Sequence, residues 1–193
     1  MLLGHRKLVF RRATFLDDRE TRMSPYAIAI EPLTKSGFEA FGQVIEAATA
    51  TGLIINEGFA HRFNDLATID IGAMEGTAQI CLFEAQPRPA PIRIRMMERH
   101  PLGSQLFLPL QDRPWLVVVC ADPANHMSYR AFLATGRQGV SYRRNVWHHP
   151  LLVLDPSSRF VVVDRKGSGN NLEEVWLDKL MPTQLQVEPV QPK

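Results

Sequence analysis

"PIRIRMMERHPLGSQLFLPL", residues 91–110, is the stretch whose reading decides the fold. Ile92, Ile94 and Met96 alternate with Arg93, Arg95 and Met97, the two-residue period of a strand with one covered face. "HPLG" then turns the chain, and Gln105, Phe107 and Pro109 share a face on the returning strand. If the isoleucines face an interior, that face continues to Glu98 and His100. A carboxylate and an imidazole then enter a closed space at the strand's end, where Gln105 can meet them. Burying such groups without partners costs about 2–7 kcal/mol each, so a fold that tolerates several of them uses them. The opposing reading ends the strand at Met97 and leaves "ERH" as a solvated loop.

The same pattern spreads in both directions. Strand candidates follow at close spacing: "YAIAIEPL", "LIIN", "HRF", "ATIDI", "AQICLFEA", "WLVVVCA", "YRAFLA", "GVSYRR", "LLVLD" and "RFVVVDR". Turn residues punctuate them, as in "QPRPAP", "QDRP", "DPANH", "ATGRQG" and "DPSS". Many short strands with regular breaks predict a mainly β fold, an antiparallel barrel or sandwich. Two short helices are expected at its flanks. "LTKSGFEAFGQVI" carries a Ser36–Glu39 capping box with Phe38 and Phe41 on one face, and Gly42 ends it. "NNLEEVWLDKL" can be capped by Asn170 or Asn171, with Glu173 and Glu174 in its first turn. "GSGNN" before it reads as a turn. The tail 182–193, with three prolines, is expected to be loose.

Composition bounds the function. Of 193 residues 45% are hydrophobic and 22% charged, as in a water-soluble globular domain. No apolar run approaches the ~20 residues of a membrane-spanning helix. The net charge of +2 is uneven: residues 1–22 hold six of the 22 Lys/Arg and three of the 20 Asp/Glu. The remainder is close to neutral, which removes the electrostatic case for nucleic acid. Asp17, Asp18 and Glu20 also argue against a targeting presequence. Residues 1–22 are therefore expected as a disordered extension outside the domain, with Met23 as an alternative start. The domain is expected over 23–181. Cys81 and Cys120 sit in apolar runs outside any C-x-x-C pair, so reduced thiols and a cytoplasmic location are expected.

"YRRNVWHHP", residues 142–150, is the second polar cluster. Alternation sends His148 and His149 to opposite faces, so one of them shares the interior with Glu98 and His100. Parity does not choose between them; His148 is preferred, leaving His149 for a neighbouring strand, a subunit or solvent. Neutral imidazole suits both proton transfer and metal binding. Arg99, Arg143 and Arg144, with Asn145, can hold a small carboxylate, for which the guanidinium fork is suited. The bland reading of each arginine is a solvated barrel edge. No G-x-S-x-G, G-x-x-x-x-G-K-[ST], H-E-x-x-H or G-x-G-x-x-G motif marks another chemistry.

"ERHPLGSQLFLPL", "RAFLATGRQGVSYRRNVWHHPLL" and "VVDRKGSGNNLEEV" resemble the ureidoglycolate lyase family, formerly called ureidoglycolate hydrolases, and "EPLTKSGFEAFGQVIE" resembles its amino-terminal start. "INEG" and "RFNDLA" stand where the family has "INNG" and "RYHDLA". The likeness runs from about Tyr26 to about Asp178. It implies a cupin-like β-barrel, a homodimer, and cleavage of ureidoglycolate to glyoxylate and urea, late in allantoin and purine breakdown. Metal-binding cupins carry H-x-H-x4-E and a later His. Laid over this chain, that pattern falls on Glu98, His100 and Gln105, with His148 or His149 as the later position. The first His has become Glu and the Glu has become Gln, so the chain can work without metal or hold a divalent ion, nickel or zinc, on Glu98, His100 and His148. For such a cleavage Glu98 and His100 are expected as the acid/base pair and His148 as proton carrier or metal ligand, with Arg144 or Arg99 on the carboxylate and Gln105, Asn145 and His149 as further substrate contacts. The rival readings are another cupin-type isomerase or dioxygenase acting on a small hydroxy acid, and a small-carboxylate sensor.

Overall fold

Trp115–Cys120 is buried along its whole length, which is why its sequence is a continuous apolar run and not an alternation. Trp115, Val117 and Val119 enter one core, while Leu116, Val118 and Cys120 enter a second. Layers therefore lie on both sides of this strand. The structure is a computed structural model and describes residues 24–47, 52–181 and 183–189. The expected N-terminal extension lies outside the described residues.

The strand belongs to a seven-stranded sheet, ordered Glu173–Trp176, Met96–Arg99, Trp147–His148, Trp115–Cys120, Tyr129–Ala134 and Ile30–Pro32, with Leu152–Val153 also paired to Trp115–Cys120. A five-stranded sheet faces it, ordered Gly42–Ile45, Gly139–Tyr142, Gln105–Pro109, Ser158–Lys166 and Thr77–Ala85. Between them lies the first core, rich in rings: Phe38, Phe41, Phe107, Trp115, Phe132, Tyr142 and Phe160. Trp115 meets Phe160 edge-on at 4.9 Å, and its indole N–H donates to the Gln138 carbonyl, so no polar atom of the ring is stranded. A three-stranded sheet, Tyr26–Ile28, Leu185–Val187 and Arg93–Ile94, closes the second core with Ile28, Ile94, Leu185 and Val187. The fold is thus mainly β, a seven-stranded and a five-stranded sheet facing each other across a shared core. Two ladders are parallel, Tyr26–Ile28 on Leu185–Val187 and Ile30–Pro32 on Tyr129–Ala134; the rest are antiparallel. Among the described residues no helix is long and apolar enough to cross a membrane.

Several local expectations are corrected. The early helix shrinks to Lys35–Phe38, and its cap is Thr34, whose hydroxyl accepts from the Gly37 N–H, not the Ser36–Glu39 box. Gly42 does not simply end the helix. It opens strand Gly42–Ile45, where a Cβ would lie 2.0 Å from the Ser141 carbonyl oxygen. Tertiary pairing with Gly139–Tyr142 overrides helical propensity there. The expected second helix is strand Glu173–Trp176 followed by a 3-10 turn, Leu177–Lys179, because the edge of Met96–Arg99 offers it a partner. "ATIDI" forms no strand. The expected loose tail supplies Leu185–Val187, with Leu185 and Val187 buried in the second core.

Candidate active site

Strand 91–99 does not keep the single parity read from its sequence. It breaks at Arg95, whose carbonyl accepts from the Leu177 N–H, giving Arg93–Ile94 to the small sheet and Met96–Arg99 to the large one. Ile94 and Met97, three positions apart, both enter the second core. The isoleucines therefore face away from the inter-sheet space, and the phase shift aims Glu98 and His100 into it.

A second irregularity settles the histidine pair. Leu116 pairs with Leu152 and Val119 with His148, so the partner chain carries one extra residue across this span. This is a β-bulge, which re-aims a side chain and recurs beside active sites. With it, Leu151, Val153 and His148 all meet the first core although their parities differ; His148 lies flat on Tyr142, 4.1 Å between ring centroids at 13°.

Glu98, His100 and His148 converge, with one ligand atom from each lying within 4.8 Å of the others. His148 Nε2 is 3.5 Å from Glu98 Oε1 and 3.2 Å from Gln105 Oε1. Its Nδ1 is 2.9 Å from the Val146 carbonyl oxygen, which only accepts, so Nδ1 carries the proton it donates. His100 follows the same scheme: Nδ1 donates to the Asn171 carbonyl at 2.7 Å, and Nε2 is buried with no partner. His100 is thus held by one nitrogen and presents the other, the arrangement of an imidazole that takes a proton or a metal ion, while both His148 nitrogens face oxygens. An unpartnered buried lone pair beside a carboxylate and a second imidazole fits a divalent cation, and borderline metals favour such donors. Burial pushes the Glu98 carboxyl up, but the hydrogen bond to His148 and the fields of His148, His100 and His149 outweigh it, and the net direction is down from 4.5. Burial and His148 lower His100 from 6.5, against the Asn171 carbonyl.

The other expected residues scatter. His149 is buried, its Nδ1 on the Pro150 carbonyl and its Nε2 unpartnered; burial lowers it from 6.5 to about 4. Arg99 is not free to bind substrate. It donates to Glu173, to which it is also ion-paired, and stacks on Trp147 at 4.5 Å. As strand neighbours of Glu98 and His148, Arg99 and Trp147 fall on the other face. Asn145 acts through its backbone: at φ 65 it turns the chain, and its N–H donates to the His100 carbonyl. Arg144 is ion-paired to Asp70 at 2.6 Å, while its buried Nε has no partner. It lines a cavity of ≈ 450 Å³ with Asp70, Ser104 and Tyr142, apart from the Glu98 cluster but sharing Tyr142 with it through the stacked ring.

Sequence reading missed Asp164, Gln79 and Asn171. Phe160 and Val162 enter the first core from Ser158–Lys166, and the same parity brings Asp164 inward beside Gln79, its ladder partner. The signal was present in "RFVVVDR" as an aspartate continuing an inward alternation, but its run of valines hides which face is covered. Asn171, in the loop expected to precede a helix, accepts from the Leu102 N–H with its side chain and from His100 with its carbonyl, clamping the turn that carries His100.

The sequence profile of the ureidoglycolate lyase family matches residues 25–186. A protein of Rhizobium meliloti named ureidoglycolate lyase 1 is 52% identical over 155 residues, 80% of this chain and 91% of its own. One of Pseudomonas aeruginosa, named ureidoglycolate lyase, is 50% identical over 149 residues, covering 76% and 88%. One of Brucella melitensis with the same name is 52% identical over 150 residues, covering 77% and 89%. Among solved structures, a variant of Bacillus subtilis oxalate decarboxylase aligns over 54% of this chain and 25% of its own at 13% identity and a TM-score of 0.35, too slight a likeness to carry an argument.

Proposed function

The chain belongs to the ureidoglycolate lyase family, and from that membership we propose that it eliminates urea from ureidoglycolate to give glyoxylate, in the breakdown of allantoin. The observation that carries this reading is the convergence of Glu98, His100 and His148 with the His100 Nε2 lone pair left unpartnered. Ureidoglycolate has one carbon bonded to a hydroxyl, a carboxylate and a urea nitrogen. Cleavage moves the hydroxyl proton away as the carbonyl forms, and the departing nitrogen gains a proton; no water is consumed.

His100 Nε2 takes the hydroxyl proton. Its lowered affinity for protons keeps the ring neutral near pH 7, ready to accept. The imidazolium so formed passes its proton to the urea nitrogen, with the Glu98 carboxylate stabilising the cation between the two transfers. The Asn171 carbonyl and the Asn145 N–H fix the ring and the backbone of His100, so little reorientation is needed. Arg143 and Arg144, which line the cavity beside Tyr142, are the arginines that remain to hold the substrate carboxylate; Arg144 is ion-paired to Asp70 through its terminal nitrogen but has a buried Nε without a partner, whereas Arg99 is committed to Glu173 and Trp147 on the other face. His148 and Gln105 close the site behind Glu98.

In place of that role for His100, Glu98, His100 and His148 would hold a divalent ion, nickel by the family resemblance, with His100 Nε2 a ligand and not the base, and such an ion would supply a lowered pKa for the carbinol hydroxyl. Two histidines and a carboxylate are also the set that holds iron in non-haem oxygenases, so a dioxygenase is the second reading. Urea release from ureidoglycolate, followed with and without a chelator beside oxygen consumption, separates them. Urea and glyoxylate in equal amounts support the lyase; oxygen uptake without urea removes it.

Two features support the setting. Cys81 and Cys120 are both free thiols, which suits the reducing cytoplasm. The outer face of the five-stranded sheet carries two adjoining apolar rows, Ile80–Val163–Leu106 and Leu82–Val161–Leu108, with Ile80 76% and Leu82 61% exposed. An exposed apolar patch of this kind suits burial against a second copy across a two-fold axis, and we assign the homodimer interface to it.

A further inference from the structure

We propose that Asp164, with Gln79 beside it, is the subsite that grips the ureido group and sets the enzyme's preference for urea as leaving group. The inference rests on the ureidoglycolate reading and deepens it. Asp164 lies across the inter-sheet space from Glu98, on Ser158–Lys166 of the facing sheet. Its register neighbours carry amides. Gln79 is its ladder partner and donates from Nε2 to Oδ1 at 3.3 Å, and continuing the register past Val163–Leu106 brings Gln105 to its other side. Gln105 also meets His148, so the carboxylate stands one amide away from the reacting cluster.

The electrostatics of Asp164 are those of an acceptor awaiting a donor. No arginine or lysine pairs with it among the described residues. Burial raises its carboxyl, and the field of His100 and the two amides offset this only in part. A carboxylate has about four acceptor sites, and the Gln79 and Gln105 amides occupy two of them. The remaining acceptor sites of this half-buried carboxylate are open to a ligand's N–H groups.

The ureido arm supplies them. Its substituted nitrogen and its terminal amide present two parallel N–H bonds on one edge, the spacing that pairs with both oxygens of a carboxylate, as a guanidinium does. Held so at Asp164, the ureido group lies within the electrostatic reach of His100. Glyoxylate carries no N–H and gains nothing from Asp164.

Binding on the full chain tests this without requiring turnover. Ligand-observed NMR titrations would use methylurea, which has the two N–H donors, tetramethylurea, which has none, and glyoxylate. The expected result is that the wild type binds methylurea and not tetramethylurea. Asp164→Asn then weakens methylurea binding by about tenfold or more and leaves glyoxylate unchanged, which also reports an intact site. The matching kinetic result is a raised KM for ureidoglycolate and a raised inhibition constant for urea. Equal binding of methylurea and tetramethylurea, unchanged methylurea affinity in Asp164→Asn, or an equal loss of glyoxylate would overturn the subsite. A wild type that binds methylurea through Asp164 yet releases no urea from ureidoglycolate would instead remove the lyase reading and leave the subsite standing.

Discussion

At the residue scale the site depends on which lone pairs are free. His100→Ala and Glu98→Gln are expected to reduce turnover by about 100-fold or more, measured as urea release with the fold checked by circular dichroism. Because burial and His148 lower His100 below 6.5, kcat/KM should stay level near neutrality and fall only as pH drops below that value. An acid limb centred above 6.5 would remove His100 as the base. His149 makes a separate prediction about stability. Its folded pKa, about 4, lies below the unfolded value, so between 6.5 and 4 the unfolded chain binds more protons than the folded one. Stability from the neutral ring is therefore full above 6.5 and is lost as the pH falls, by about 2 kcal/mol between pH 7.5 and 5. In His149→Phe the loss across that interval should shrink in denaturant titrations. The identities of Glu98, His100 and the paired histidines were legible as polar residues at the ends of apolar alternations. Their hydrogen bonds to the Asn171, Val146 and Pro150 carbonyls were not, because those contacts join distant or irregular backbone.

At the element scale, two short irregularities place the site: the break at Arg95 and the bulge between His148 and Leu152. Strand Gly42–Ile45 shows how tightly the neighbouring ladder is built. Phe38 and Tyr142 pack at 5.9 Å, Tyr142 carries His148, and a Cβ at Gly42 would strike the Ser141 carbonyl. Gly42→Ala is expected to destabilise the protein by about 1–3 kcal/mol and to weaken turnover through the displaced Tyr142 ring; unchanged unfolding midpoints would show that the ladder gives way freely. Strand existence was readable from alternation and turn residues, since both are local. Whether "EEVW" became helix or strand was not, since an open edge at Met96–Arg99 decided it.

At the scale of the whole molecule, the outer faces of the two large sheets meet opposite fates. The outside of the seven-stranded sheet is covered by the chain's own ends, Tyr26–Ile28 and Leu185–Val187. The outside of the five-stranded sheet is left apolar at Ile80, Leu82 and Leu108. Leu82→Lys should therefore convert a dimer to a monomer in sedimentation velocity without loss of fold, because the side chain is already exposed. A wild type that sediments as a monomer would exclude the interface.

The sequence by itself determined the class of fold, the turns, the family and the pool of chemically able residues, because periodicity and residue type act over a few neighbours. The tertiary structure alone decided which of them meet. A one-residue shift reverses every side chain of a strand, so the break at Arg95 and the extra residue near His149 turned Glu98, His100 and His148 toward one another, sent Arg99 to Glu173, and brought Asp164 in from a strand on the opposite sheet.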